Sequence, residues 1–216
     1  MESVKILVTD FDGTLTRHDF YDLVRSQLLP PGTPDYWSDY RAGRMTHFEA
    51  LRNYFAAIRV SEATVQRLVD SMDLDPQLSS SLACLSAAGW HVVIASAGCR
   101  WYIDRLLAAA GVTLEVHANP GHFVAGRGLL MELPKESRFF SPTHGIDKVG
   151  VVRHSLATAE RVAFAGDGYP DEAAARLVPA EFRFARGDLA NSLASQGMPF
   201  RPFDRWSEIA TELTSS

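Results

Sequence analysis

Short β-rich runs alternate along most of this chain with stretches whose apolar residues recur at helical spacing. Val4 to Thr9, His91 to Ala95, Glu115 to Ala118, Arg161 to Ala165 and Glu181 to Ala185 are of the first kind, and Val4 to Thr9 is apolar enough for burial on both faces. Leu78 to Ala88, Tyr102 to Ala110, Asp147 to Ala159, Asp171 to Leu177, Leu189 to Ser195 and Asp204 to Leu213 read as helices, the first two closed by Gly89 and Gly111. Strand and helix in such alternation predict an α/β fold with a largely parallel sheet. Phe123 to Leu133, broken by Gly126-Arg127-Gly128, predicts a hairpin at the sheet edge.

From Arg17 to about Pro76 the rhythm changes, because apolar residues keep helical spacing and no strand run intervenes. Thr46 and Glu49 form a capping box for a helix that sets Phe48, Leu51, Phe55 and Ile58 on one side, and Ser61 can cap the next. The division predicted is a core of residues 1–16 and 77–216 with a helical insert at 17–76. An insert placed directly after the first strand lies over the C-terminal edge of the sheet, where open α/β folds bind ligands, and reads as a lid.

Composition narrows the functional classes. A net charge of -5 over 216 residues leaves no basic excess for a nucleic acid polymer or an anionic membrane surface. The apolar run Val92 to Ala97 is too short to span a bilayer, and the start from Met1 shows no signal-peptide pattern. Two cysteines, Cys84 and Cys99, make neither a disulfide framework nor a zinc cluster. A soluble, unprocessed protein of the reducing cytoplasm is expected, and a homodimer is compatible with it.

The candidate chemistry gathers where the predicted strands end. Asp10 and Asp12 flank Phe11 and precede Gly13 and Thr14, so a sharp turn can face both carboxylates into one pocket. Their repulsion calls for a divalent cation, and hard oxygen ligands beside a phosphate favour Mg²⁺; a plain Asp-rich turn is the alternative. Ser96 offers a hydroxyl, and the amides of Ala97 and Gly98 can bind an anion ahead of a helix, unless the segment is only a tight turn. Lys148 stands at a helix start, against the dipole, which asks for a compensating use unless it is merely solvated. Asp167 and Asp171 flank a glycine turn after a third strand, where Asp171 can equally serve as a cap.

The order strand-DxDGT, strand-Ser, helical Lys, strand-GDGxxD resembles the four motifs of the haloacid dehalogenase (HAD) superfamily. The match covers nearly all of the chain outside the insert. The resemblance implies a Rossmann-like parallel sheet core, and the insert resembles the C1-type cap of the phosphoserine phosphatase-like branch. Within that branch, Tyr36-Trp37 through Gly43-Arg44-Met45-Thr46-His47-Phe48-Glu49-Ala50-Leu51 looks like the methionine-salvage phosphatases that act on a phosphorylated methylthio-ketopentene.

What the resemblance implies is a Mg²⁺-dependent phosphomonoesterase for a small metabolite. Asp10 would be the nucleophile and Asp12 the general acid and base. Asp10, the Asp12 carbonyl and Asp167 would ligate the metal, with Asp171 supporting it or its waters. Ser96, Ala97 and Lys148 would hold the phosphoryl group, and Thr14 would stabilise the loop. Transfer to an acceptor other than water, or a non-catalytic metal- and phosphate-binding module, are the competing outcomes. The sequence departs from phosphoserine phosphatases at Asp19, where they carry glutamate. Their substrate-carboxylate arginine would fall near Asn53 to Phe55, with only Arg52 adjacent. Asp19 and Arg52 are therefore the candidate specificity residues, and phosphoserine is expected to be a poor substrate.

Overall fold

The computed structural model describes residues 4–215. The reading of the start at Met1 and the final residue of the predicted core, Ser216, lie outside them. Strands β1 (Lys5–Thr9), β2 (Trp90–Cys99), β3 (Glu115–Asn119), β8 (Arg161–Gly166), β9 (Arg183–Ala185) and β10 (Arg201–Pro202) form a six-stranded sheet in the order β10-β9-β8-β1-β2-β3. Every pairing in it is parallel. The chain builds outward from β1 to β2 and β3, then returns to pair β8 with β1 on the other side. Successive side chains of β1 go to opposite faces: Leu7 joins one buried apolar cluster and Val8 the other.

Helices cover both faces. On the Leu7 face, α5 (Leu78–Ala87) and α10 (Trp206–Thr214) supply Leu78, Leu85, Trp206 and Ile209. On the Val8 face, α7 (Lys148–Thr158), α8 (Glu172–Ala175) and α9 (Gly187–Ser195) supply Val151, Val152, Ala174 and Leu189. No described helix is long and apolar enough to cross a membrane.

Between β1 and α5 run four helices, α1 (Phe20–Gln27), α2 (Tyr36–Arg41), α3 (His47–Ala56) and α4 (Glu62–Asp70). Thr46 and Glu49 close the predicted capping box on α3, and the Ser61 side chain caps α4. Phe48, Leu51, Phe55 and Ile58 are all buried, and their cluster is continuous with the Leu7 face through Phe11, Leu15 and Phe20. The chain enters and leaves this insert as a short antiparallel ribbon. Asp75 N–H donates to Leu15 O (3.0 Å), Arg17 N–H to Asp73 O (3.0 Å) and His18 N–H to Met72 O (3.1 Å), around a Thr16–Leu74 bridge.

Three expectations are corrected. The predicted hairpin exists, as β4 (Gly121–Val124) and β5 (Gly128–Met131), but it is a separate two-stranded sheet packed on α3 and α6 (Arg100–Ala109), not an edge of the main one. Gly128 is in the left-handed region (φ +78°), and a Cβ there would overlap the Phe55 carbonyl, so β5 approaches α3 backbone to backbone. The strand predicted to stop at Ala95 continues to Cys99, with an irregularity in its pairing to β3 after Ala95. The helix predicted over Asp171 to Leu177 is a 3₁₀ turn at Tyr169–Asp171 followed by the four residues of α8.

Candidate active site

Asp10 follows β1 directly, so the parallel sheet delivers its carboxylate to the C-terminal edge. Its amide donates to Ala165 O of β8 at 2.9 Å. Its Oδ1 accepts from the Phe11 amide at 2.7 Å, and its Oδ2 lies 2.7 Å from Lys148 Nζ. The turn behind it is wound tightly by Leu15 N–H donating to Phe11 O (2.9 Å) and Gly13 N–H donating to Thr16 Oγ1 (3.1 Å). Gly13 is obligatory here: its φ is +66°, and a Cβ would collide with the Asp167 carboxylate. Thr14 Oγ1 donates to Asp167 Oδ1 at 2.9 Å, tying the first turn to the end of β8.

Asp171 caps the turn after β8 and also pairs with Lys148. Its Oδ2 accepts from the amides of Asp167 (3.2 Å) and Gly168 (3.0 Å), capping the 3₁₀ turn, while its Oδ1 accepts from Lys148 Nζ at 2.6 Å. Lys148 is the first residue of α7 and only 6% exposed, so the two carboxylates offset the unfavourable helix dipole. Burial opposes its charge, yet Asp10 and Asp171 hold it above its ordinary range.

Carboxylate oxygens of Asp10, Asp167 and Asp171 all lie within 4.8 Å of one another. Burial pushes Asp10 up to about 7 despite Lys148. Burial, with Asp10 and Asp171 nearby, raises Asp167 well above the carboxylate range. Hard oxygen donors gathered this closely, with Asp10 and Asp167 reluctant to ionise chiefly because they are buried, fit a divalent cation.

Asp12 points elsewhere. Its Oδ1 accepts from the Phe20 amide (3.3 Å), and its Oδ2 accepts from the Tyr102 hydroxyl (2.8 Å) and Ser96 Oγ (3.4 Å). Burial, then Asp19 and Asp10, raise it well above the ordinary carboxylate range. Two carboxylates one residue apart thus have different surroundings, one beside Lys148 and one beside a phenol.

Ser96 is buried at the centre of this arrangement, and its Oγ also accepts from the Gly98 amide at 2.9 Å. The expected helix start at Ala97 and Gly98 is corrected: both residues belong to β2, and α6 begins only at Arg100. Ala97 O accepts from the side-chain amide of buried Asn119 at 2.7 Å. Cys99 is a packing residue, its thiol pushed up to about 12 by burial.

Above these groups lies a cavity of about 830 Å³ bounded by the insert. Asp19 lines it and also caps α1 by accepting from the Asp22 amide at 3.2 Å. Arg52 does not reach it. His47, Leu51 and Phe55 occupy the cavity side of α3, while Arg52, one residue on and about 100° round the helix, is exposed with its guanidinium 5.7 Å from the Phe48 ring centre. Trp37 and Tyr40 both line the cavity. Tyr102 and His144, which also line it, carried no signal in the sequence, and His47 stood out only as part of the stretch from Gly43 to Leu51.

The chain matches the haloacid dehalogenase-like hydrolase family profile over residues 7–176. It is 25% identical, over 95% of both chains, to a 2-hydroxy-3-keto-5-methylthiopentenyl-1-phosphate phosphatase from Microcystis aeruginosa. Its fold is that of a phosphoserine phosphatase solved as a phospho-aspartyl intermediate analogue (TM-score 0.68, 15% identity, 97% of this chain and 99% of that one). It also matches a HAD family hydrolase from Salmonella enterica serovar Typhi, with TM-score 0.62, 19% identity and 84% of this chain, but spans only 62% of that protein's length. The ordered carboxylates, the buried lysine and the family match together make this chain a member of the haloacid dehalogenase-like hydrolases.

Proposed function

We propose that the protein is a Mg²⁺-dependent phosphomonoesterase that acts on a small phosphorylated metabolite through a phospho-aspartyl intermediate on Asp10. The observation that carries this reading is the division of labour at the end of β1, with Asp10 paired to Lys148 at 2.7 Å and Asp12 held apart by Tyr102 at 2.8 Å. Asp10, Asp167 and the backbone carbonyl of Asp12 would hold the ion, and Asp171 would brace them. When bound, Mg²⁺ supplies charge neutralisation that lets one anion approach another.

In the first half-reaction a carboxylate oxygen of Asp10 attacks phosphorus, and the bond from phosphorus to the organic oxygen breaks. Asp12, whose carboxyl is raised well above the ordinary range by burial and by Asp19 and Asp10, gives its proton to that leaving oxygen. Asp12 then takes a proton from water as the water oxygen attacks the same phosphorus, releasing phosphate and regenerating Asp10. Lys148 and Ser96 hold the phosphoryl oxygens through both halves. The helical insert, residues 17–76, serves as a cap that excludes bulk water while Asp10 carries phosphate. The two free cysteines, Cys84 and Cys99, suit a reducing cytoplasm.

The test is Asp10→Asn, which removes the nucleophile from a nearly isosteric side chain. Turnover of p-nitrophenyl phosphate in Mg²⁺ should fall by roughly 10⁴-fold or more, and acid-quenched wild type should carry phosphate on Asp10. A variant retaining a tenth of wild-type activity rules out this assignment.

A further inference from the structure

Strand β2 bulges where it carries Ser96. Its pairing with β3 runs to Ala95 opposite His117 and resumes at Cys99 opposite Asn119, so Ser96, Ala97 and Gly98 face the single residue Ala118. A bulge takes backbone groups out of the ladder and re-aims a side chain, and when buried those groups need other partners. Asn119, the last residue of β3 and fully buried, supplies one. Its Nδ2 donates to Ala97 O at 2.7 Å and to His144 O at 3.3 Å, in the turn between β6 (Phe140–Ser141) and β7 (Gly145–Ile146). Turned over, the amide would set its own oxygen against two carbonyl oxygens. As it stands, Oδ1 has no hydrogen-bond partner among the described residues, and a Cβ on Gly145 would overlap it. An asparagine that leaves its acceptor unpaired while its amide nitrogen serves two carbonyls acts through what it donates.

The bond to Ala97 reaches Ser96 through one peptide unit. Ala97 C=O and Gly98 N–H are the two ends of the same trans peptide and point opposite ways. The carbonyl accepts from Asn119, and the amide donates to Ser96 Oγ at 2.9 Å. Ser96 Oγ in turn donates to Asp12 Oδ2 at 3.4 Å. Glycine on one side of this peptide offers little steric resistance to its rotation, so its orientation depends on the bonds at its two ends. Hydrogen bonds joined head to tail in this way also strengthen one another.

We infer that Asn119 is a positioning residue of the phosphate site, acting through the Ala97–Gly98 peptide to hold Ser96 Oγ where it meets the phosphoryl group. The inference rests on the phosphatase reading and adds to it a residue behind the site. Ser96, Ala97 and Gly98 line the cavity and Asn119 does not, so its influence on substrate passes through them.

The test is a double-mutant cycle on kcat/KM for p-nitrophenyl phosphate in Mg²⁺, using Asn119→Leu, Ser96→Ala and the two together. Leucine is close to asparagine in shape and lacks the donor. Asn119→Leu should lower kcat/KM about tenfold in the otherwise wild-type chain, the scale of one buried hydrogen bond, and by less than about twofold once Ser96→Ala is present. A residue that only braced the fold would cost the same factor in both backgrounds. Asn119→Ser, whose hydroxyl is too short to reach Ala97 O, carries the same comparison should Asn119→Leu not fold. Equal losses with and without Ser96, or no loss in the otherwise wild-type chain, overturn the inference and leave the phosphatase reading standing; a wild type without turnover sinks both.

Discussion

The Tyr102 hydroxyl donates to Asp12 Oδ2 at 2.8 Å, joining the first turn of α6 to the carboxylate assigned as acid and base. The phenol ring is packed against Phe20 with centres 4.4 Å apart, and Phe20 in turn gives its amide to Asp12 Oδ1. The aim of Asp12 is therefore set jointly by core and insert. Space for the hydroxyl exists because residue 98 is glycine: a Cβ there would overlap Tyr102 Oη and stand 2.5 Å from Asp12 Oδ2. Tyr102→Phe should lower single-turnover phosphorylation from alkyl phosphates about tenfold, the scale of one buried hydrogen bond, with a smaller loss for aryl phosphates. Gly98→Ala should show the same split. Rapid-quench measurement of both ester types decides it; equal losses would mean that Tyr102 only packs.

Asp12→Asn removes the proton donor and leaves Asp10, Lys148 and the backbone carbonyl in place. Alkyl phosphates, whose alkoxide needs a proton, should lose roughly 10²-fold or more in phosphorylation, and aryl phosphates far less. The expected signature is a steep dependence of rate on leaving-group pKa that wild type lacks.

Burial of the Asp10 carboxyl makes the metal-free fold sensitive to pH. Asp10 is raised from 3.8 to about 7, so the folded state binds this proton more tightly than the unfolded chain does. Stability from this group is full below about pH 4 and is lost as pH rises through 7. Metal-free Tm should accordingly decline across that window, and Mg²⁺ should raise Tm more at pH 7.5 than at pH 5, where protons compete for the same oxygens. Thermal unfolding with EDTA and with Mg²⁺ at both pH values gives the answer, and an equal shift at each would contradict it.

Substrate ranking should respond to Asp19 and ignore Arg52. Arg52→Ala removes an exposed cation outside the cavity and should leave kcat/KM within about twofold for every ester, since surface changes of this kind are small. Asp19→Asn preserves an α1 cap, because asparagine caps as well as aspartate, but deletes a negative charge facing the substrate. Phosphoserine should gain relative to uncharged esters in that variant. Steady-state kinetics on the two variants, with Asp19→Ala as the cap-deficient control, separates charge from helix stability.

The core was legible because its chemistry follows its geometry: parallel strands buried on both faces read as apolar runs, with Asp10 and Asp167 directly after β1 and β8 and Ser96 near the end of β2. The capping box at Thr46 and Glu49 was equally local. What the sequence hid depends on packing between distant segments. Tyr102 lies in an ordinary apolar stripe with Ile103, Leu106 and Leu107, and nothing local distinguishes a phenol facing Asp12 from one facing leucines. The glycine break within Phe123 to Leu133 announced a hairpin but not that Gly128 would set it against α3. Arg52 was chosen by its distance along the sequence, whereas the helical turn decides which side of α3 it occupies.

The ribbon formed by residues 15–18 and 72–75 makes the insert begin and end at one place. For such a closed excursion, the entropic cost of length grows slowly, about 0.6 kcal/mol per doubling. The β1–β2 pairing consequently does not depend on how much chain is looped out between the two rungs Arg17–Asp73 and His18–Met72. That makes the ribbon a splice point: a foreign helical segment grafted onto it, beyond His18 and before Met72, would exchange the cover of the cavity while Asp10, Asp167 and Asp171 keep their positions, and only Asp12 would lose a partner, the Phe20 amide.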